Sequence, residues 1–325
     1  MDALTGLLDG PRARGAFLLR SVLDPPWSLR IQDGSPLSLI TLVRGEAWIL
    51  KRDAAAARIG PGDVAVVNGV EPYVVADSPG TAPQLVIHPG QRCESIDGTE
   101  MTMTGQGIRT WGAQPDGATV MVSGTYQMHS EVSRRLLDAL PGLLIRSAEA
   151  GDRALIDLLV REMGGTEPAQ DLVLDRLLDL VLVSVLRSWL AAPGEDVPGW
   201  QRAQADAVVG PALRLIHDEP AYAWTVASLA ARTGVSRASL ARRFTEVVGE
   251  SPMAYLTGWR LTLAADLLRQ GDATLESVAR RVGYGSAFAL STAFKRERGV
   301  SPQEYRRRPA VAPRASPLPR VVRLG

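Results

Sequence analysis

Arg242 is the side chain of this sequence best equipped to recognise another molecule by shape and charge together. Its planar guanidinium can donate two parallel hydrogen bonds to guanine O6 and N7 in the major groove of DNA, a discrimination worth about 1–3 kcal/mol. A helix turns about 100° per residue. With Leu240 and Phe244 turned inward, Ala238, Arg242 and Thr245 therefore point away from the core, flanked by Ser239 and Ala241. Further along, Leu290 and Phe294 inward put Phe288, Thr292 and Lys295 outward, flanked by Ala289 and Ser291. The expected base contacts are Ala238, Ser239, Ala241, Arg242, Thr245, Phe288, Ser291 and Thr292, with Phe288 able to pack on a thymine methyl. Ser236, Arg237, Arg243, Ser286, Lys295 and Arg296 are the expected phosphate contacts, which position a protein without reading sequence.

These two rows belong to an internal repeat. Leu229 and Val278 stand 49 residues apart, as do Gly234 and Gly283. Ser236 and Ser286 are 50 apart, and that spacing holds for Leu240 and Leu290, Phe244 and Phe294, and Gly249 and Gly299. Ser251-Pro252 recurs as Ser301-Pro302, and Tyr255 as Tyr305. The one-residue slip falls in the turn after the glycine, where insertion is cheap. Each copy predicts a helix, a tight turn and a second helix. In the first, Val226–Thr233 is the leading helix, Gly234 supplies the turn and Ser236 caps the helix that follows. Small residues (Ala227, Ala230, Ala231; Ala279 in the second copy) let the helices cross closely. This is a helix-turn-helix, whose second helix enters the major groove. A connecting helix around Trp259–Leu268 can hold the two reading helices about 34 Å apart, one DNA turn.

Other reactive side chains are few. Three histidines, His88, His129 and His217, contain no His-x-His pair and do not suggest a metal centre, and no cofactor is expected. The single cysteine, Cys93, excludes an internal disulfide or a thiolate zinc cluster. Arg92 beside it favours the thiolate and Glu94 opposes it. Cys93 is thus either an ordinary thiol or an oxidation sensor acting through a sulfenic acid, an intersubunit disulfide or a small-thiol adduct. Trp27, Trp48 and Tyr73 either pack a core or line an effector pocket.

The elements that must carry these groups follow from composition and pattern. The chain has 325 residues, 46% of them hydrophobic and 22% charged, which suits about two globular domains. Residues 205–325 hold 18 of the 36 Lys and Arg but only 10 of the 35 Asp and Glu, a net +8 against −7 for the first 204 residues. A basic half is what an approach to phosphate requires. From about Ala16 to Ser123, short β-rich runs such as Leu37–Val43, Ala47–Leu50, Asp63–Val67, Tyr73–Ala76 and Gln84–His88 alternate with Gly, Pro and Asp turns. They predict a sandwich or small barrel. Residues 131–192 change to helical spacing at Leu136, Leu137, Leu140, Leu143 and Leu144, at Leu155, Leu158, Leu159 and Met163, and at Leu174, Leu177, Leu178, Val181, Val185 and Trp189. The last of these is apolar nearly all round in its second half, as either a domain core or a dimer interface would be. Residues 193–204 read as a linker, 205–308 as the DNA-binding domain and 309–325 as a disordered Pro- and Arg-rich tail. Charges inside the most apolar stretch oppose a membrane span, and no signal peptide is visible, so a cytoplasmic protein is expected. The whole is an α+β chain.

Gly283-Tyr-Gly-Ser-Ala-Phe-Ala-Leu-Ser-Thr-Ala-Phe-Lys-Arg-Glu-Arg-Gly-Val-Ser-Pro-Gln-Glu-Tyr-Arg306 closely resembles the C-terminal signature of AraC-type (AraC/XylS) transcription regulators, and Arg242-Arg-Phe244 with Gly249-Glu-Ser-Pro252 fits the same family. Thr292 stands where many members carry an arginine, so the second helix is expected to read shape and phosphate more than bases. Val43-Arg-Gly-Glu-Ala-Trp48 and Gly60-Pro-Gly-Asp63 resemble the N-terminal cupin-type effector domain of one AraC subgroup, with Tyr73 where cupins often place a histidine. That subgroup includes sensors of reactive chlorine that act by cysteine oxidation. The resemblance implies a cupin-like sensing barrel over 1–130, a helical dimerisation segment over 131–192 and a double helix-turn-helix. It also implies a small-molecule or oxidant effector, a homodimer, promoter or operator DNA as partner, and contact with RNA polymerase. Two other classes fit the sequence less well. A fused DNA-repair methyltransferase needs a cysteine cluster this chain lacks. An architectural protein would bind DNA with little sequence preference, against which the repeated reading helices argue.

Overall fold

The computed structural model describes residues 17–52, 54–101, 110–112, 116–126, 131–147, 150–165, 167–191, 203–271, 273–307 and 321–324. The linker expected over 193–204 and His129 lie almost wholly or wholly outside these residues. The chain divides into two compact units.

The first unit is β-rich. Its strands are β1 (Phe17–Leu23), β2 (Ser28–Ile31), β3 (Leu37–Arg44), β4 (Ala47–Lys51), β5 (Ala57–Ile59), β6 (Val64–Asn68), β7 (Tyr73–Ala76), β8 (Leu85–Ile87), β9 (Cys93–Ser95), β10 (Glu100–Met101), β11 (Thr110–Gly112) and β12 (Thr119–Tyr126). With β13 (Leu143–Arg146) and β14 (Val321–Leu324) they form two seven-stranded sheets, ordered β11-β1-β12-β3-β6-β13-β14 and β10-β9-β8-β2-β7-β4-β5. Alternate residues from both sheets meet in one core: Leu29, Ile49 and Val75 from one, Ile40, Val67, Met121 and Ile145 from the other. Period-two burial of β-branched and aliphatic side chains is what drives such a closure. The sandwich or small barrel expected from the turn-punctuated runs is observed as two sheets packed on one core, in keeping with a cupin.

Two expectations are corrected. Leu143 and Leu144 were expected to continue a helix, but α1 (Glu131–Ala139) stops before Pro141-Gly142, and Leu143–Arg146 pairs antiparallel with β6. Proline lacks the N–H a helix needs, and the buried Leu-Leu-Ile run is stabilised better inside a sheet. The tail was expected to be disordered to residue 325, yet Val321–Leu324 adds to β13 as a parallel strand. Its two adjacent valines have the β-branched chemistry a free sheet edge accepts.

Two helices complete this unit, α2 (Ala150–Met163) and α3 (Gln170–Ala191). α3 lies against β12 so closely that a Cβ on Gly124 would stand 2.7 Å from Leu178 Cδ2. Tyr126, fully buried beside it, donates its hydroxyl to Leu178 O at 2.9 Å. The buried face of α3 is Leu174, Leu177, Leu178, Val181, Leu182, Val185, Leu186 and Trp189.

The second unit is all-α: α4 (Val209–Asp218), α5 (Val226–Thr233), α6 (Arg237–Val248), α7 (Pro252–Arg269), α8 (Leu275–Arg281), α9 (Ala287–Arg298) and α10 (Pro302–Arg307), joined by the first residues of α1. It has two hydrophobic cores, one per repeat. Leu229, Leu240, Phe244 and Trp259 anchor the first; Val278, Leu290, Phe294 and Tyr305 anchor the second.

Candidate nucleic-acid interface

Each repeat builds its reading helix with the same local devices. Thr225 opens α5 with a reciprocal capping box to Ser228. Gly234 closes it in the left-handed conformation at φ 72°, a region where a side chain is strained. Ser236 caps α6 by accepting from Ser239 N at 3.1 Å. In the second copy Thr274 caps α8, and Ser286 caps α9 by accepting from Ala289 N at 3.2 Å. Gly283 takes φ 83°, and a Cβ there would lie 2.7 Å from Ala221 Cα, so this turn also requires glycine for packing. Leu240 and Phe244, like Leu290 and Phe294, are completely buried.

That anchoring fixes what faces outward. Ala238, Arg242 and Thr245 are exposed on α6, with Ser239 and Ala241 half-buried beside them. The Arg242 side chain is 76% exposed, with Glu246 3.8 Å away one turn on. On α9, Phe288 is 82% exposed, an apolar ring held in water. Thr292 is also exposed and spends its hydroxyl proton on Phe288 O at 3.0 Å, while Ser291 is half-buried.

The expected phosphate contacts divide. Arg237, Lys295 and Arg296 are exposed, and Ser236 and Ser286 sit at the helix starts, where backbone N–H groups favour anions. Arg243 is tied instead to Asp206, at 2.7 and 2.9 Å, and to Glu246 at 3.2 Å. Asp206 was not singled out by its sequence position. In the turn ahead of α4 it accepts from Val208 N and Val209 N, both at 2.9 Å. An Asp just before an apolar helix was the available signal. Partial burial opposes its ionisation, but those N–H groups and Arg243 outweigh it and hold the carboxyl below its usual range.

The β-rich unit contains a pocket between its sheets. Leu19, Ser21, Ser38, Ile40, Trp111, Met121, Ser123 and Thr125 line it from one sheet; Leu29, Ile31, Tyr73, Val75 and Ile87 line it from the other, and Asp33 from the bend after β2. Of the three aromatic residues expected around an effector pocket, Tyr73 lines this one. Trp27 is buried in the adjoining core, and Trp48 lies half-buried between the inward-facing Ala47 and Ile49, away from the pocket.

A cupin family model matches residues 2–191, and a helix-turn-helix domain model matches residues 229–308. The chain is 33% identical to a putative AraC-like transcription regulator of Streptomyces lividans, over 96% of this chain and all of the relative. The chain belongs to the AraC family of transcription regulators. It is also 27% identical to the HTH-type transcriptional regulator AlkR of Acinetobacter baylyi (94% of this chain, 99% of the relative). It is 26% identical to the RCS-specific HTH-type transcriptional activator RclR of Escherichia coli (95% and 98%). As an AraC-family member the protein is a sequence-specific DNA-binding transcription regulator with an N-terminal cupin domain.

In this AraC-type chain Cys93 is buried in β9, 2% exposed, and burial pushes its thiol up despite a backbone hydrogen bond at Glu94. Arg92 turns its guanidinium to Glu94 Oε2 at 2.7 Å. His88 lies between Gln32, 3.3 Å from Nδ1, and Glu94 Oε2, 3.2 Å from Nε2. Among the described residues no three His, Cys, Asp or Glu side chains gather as metal ligands, and no helix is long and apolar enough to cross a membrane.

Proposed function

We propose that this regulator couples a small-molecule or redox signal at its cupin barrel to DNA affinity or to transcription activation, and that it works as a homodimer on promoter or operator DNA, with RNA polymerase as a further partner. The carrying observation is the pocket between the two sheets, a mostly apolar cavity with a polar end in the unit that does not hold the reading helices. Protein ligand sites have that character. In this reading α6 supplies Ala238, Ser239, Ala241, Arg242 and Thr245 to the bases, and α9 supplies Phe288, Ser291 and Thr292. Ser236, Arg237, Arg243, Ser286, Lys295 and Arg296 approach phosphates, Arg243 after exchanging its carboxylate partners. Leu172, Val173 and Leu180 on α3 stay exposed, as does Leu158 on α2, and support a dimer through this helical segment.

The experiment compares the full chain with Ser123→Phe, which fills the pocket from a half-buried wall position, for affinity to a duplex selected from random DNA. A changed affinity or an altered response of transcription supports the barrel as input; identical behaviour in both readouts rejects it. Hydrogen peroxide added to wild type and Cys93→Ser separates the redox branch, which requires a response that the serine variant loses.

A further inference from the structure

The pocket has one polar end. Tyr73 and Ser38 share a hydrogen bond there, and Asp33 lies close enough to act on the Tyr73 hydroxyl electrostatically. All three are buried, and Asp33 holds a local turn by accepting from Ser35 N at 2.9 Å. Burial, assisted by the Asp33 charge, pushes the Tyr73 hydroxyl far above its ordinary range and keeps it protonated. The remaining walls are aliphatic or aromatic apart from hydroxyls at Ser21, Ser123 and Thr125. No Lys, Arg or His is among the described residues that line it.

That inventory is selective. A carboxylate head group would sit beside the Asp33 carboxylate with no cation to offset it, and an unpaired charge in an apolar site is strongly disfavoured. A head group that donates a hydrogen bond finds acceptors at Asp33, Tyr73 and Ser38. The cavity is narrow, about 40 Å³, well below the about 300–1,000 Å³ of ligand pockets generally, so a ligand enters it only as a slender chain.

We infer that this pocket binds a small apolar molecule ending in one hydrogen-bond-donating head group, an alcohol or a primary amine, seated at Asp33 and Tyr73, and that it rejects carboxylates of the same skeleton. The inference rests on the barrel being the input site but concerns a different link, ligand chemistry.

The test is calorimetric titration of the full chain at neutral pH with hexylamine, 1-hexanol and hexanoate. The expected result is one-to-one binding of the amine or the alcohol, with hexanoate weaker by at least about tenfold. Asp33→Asn, which keeps an acceptor for Ser35 N, should lower amine affinity by about tenfold and move the alcohol little. Ser123→Phe should abolish binding of every compound. Hexanoate binding as tightly as the others, amine binding indifferent to Asp33→Asn, or no binding by any of the three overturns the inference. If the amine or alcohol binds as expected but leaves the affinity for operator DNA and transcription unchanged, the ligand site stands and the input reading falls.

Discussion

Tyr305 donates its hydroxyl to Glu131 Oε1 at 2.7 Å, joining the end of the second repeat to a residue 174 positions earlier. The first repeat has a counterpart: Tyr255, the equivalent tyrosine, has its hydroxyl 2.8 Å from His217 Nε2 on α4. Each tyrosine also meets its repeat's phenylalanine edge-on, Phe244–Tyr255 at 5.8 Å and Phe294–Tyr305 at 5.2 Å between ring centres. In the second repeat the C-terminal half of α7 lies at the spacing of α4 and packs the core through Leu261, Ala264, Ala265 and Leu268, while Glu131, at the start of α1, provides the polar partner that His217 on α4 provides in the first. Arg298 Nη1 donates to Glu131 Oε2 at 3.0 Å, Arg134 lies 3.3 Å and Arg269 3.8 Å from Oε1, and Glu131 N donates to Asp266 Oδ1 at 2.5 Å. The carboxylate is 4% exposed.

This arrangement predicts unequal costs. Tyr305→Phe removes one hydrogen bond and should destabilise the helical unit by about 1 kcal/mol. Glu131→Ala takes the shared carboxylate from three partly buried arginines, Arg134, Arg269 and Arg298, and should cost more, about 3 kcal/mol. Urea unfolding of the full chain, followed by a probe in the α-helical unit, measures both. Equal effects would show that the charge network contributes little.

The same residue sets an acid response. Burial opposes ionisation of Glu131, but the Tyr305 hydrogen bond and the charges of Arg134 and Arg298 outweigh it and hold its carboxyl below the ordinary glutamate range. A group whose pKa is lower when folded stabilises the fold above its unfolded value, about 4.3, and loses that contribution as pH falls through the lowered value. Thermal unfolding from pH 7 to pH 2 should therefore show a shallower acid loss in Glu131→Gln than in wild type, with the difference confined to the region below about pH 4.3.

On DNA, Arg242→Ala should cost about 1–3 kcal/mol on the selected sequence and relax preference at one base position. Lys295→Ala should weaken binding to every sequence alike and reduce the salt slope by about one. Competition binding at two salt concentrations separates the two. A salt-slope change without lost preference in Arg242→Ala would make it a phosphate contact.

For assembly, Leu180 is 51% exposed on α3, so a Glu in its place can keep its charge in water. If this face joins two copies, Leu180→Glu should shift the protein to monomer in sedimentation equilibrium while its unfolding midpoint, measured at low concentration, stays close to wild type. An unchanged oligomeric state would place any dimer contact elsewhere.

The helix-turn-helix was legible in the sequence because its determinants are local. Helical period, Gly234 and Gly283 in their turns and the Ser236 and Ser286 caps all act within one or two turns of chain, and the repeat shows them twice, so the outward row containing Arg242 and Phe288 follows from the sequence. The β-rich character of the first unit was legible for the same reason, through period-two runs between turn residues. What tertiary structure alone decided are pairings over long separations. A one-dimensional pattern did not distinguish Leu143–Ile145 as strand from helix until β6 accepted it, or mark Val321–Leu324 as more than tail until β13 offered an edge. It did not show that Arg243 is held by Asp206, that Trp48 faces away from the pocket while Asp33 faces in, or that Glu131 answers Tyr305. Those choices follow from which buried donor or charge finds a partner when distant segments meet, and a partner 174 residues away leaves no trace in local spacing.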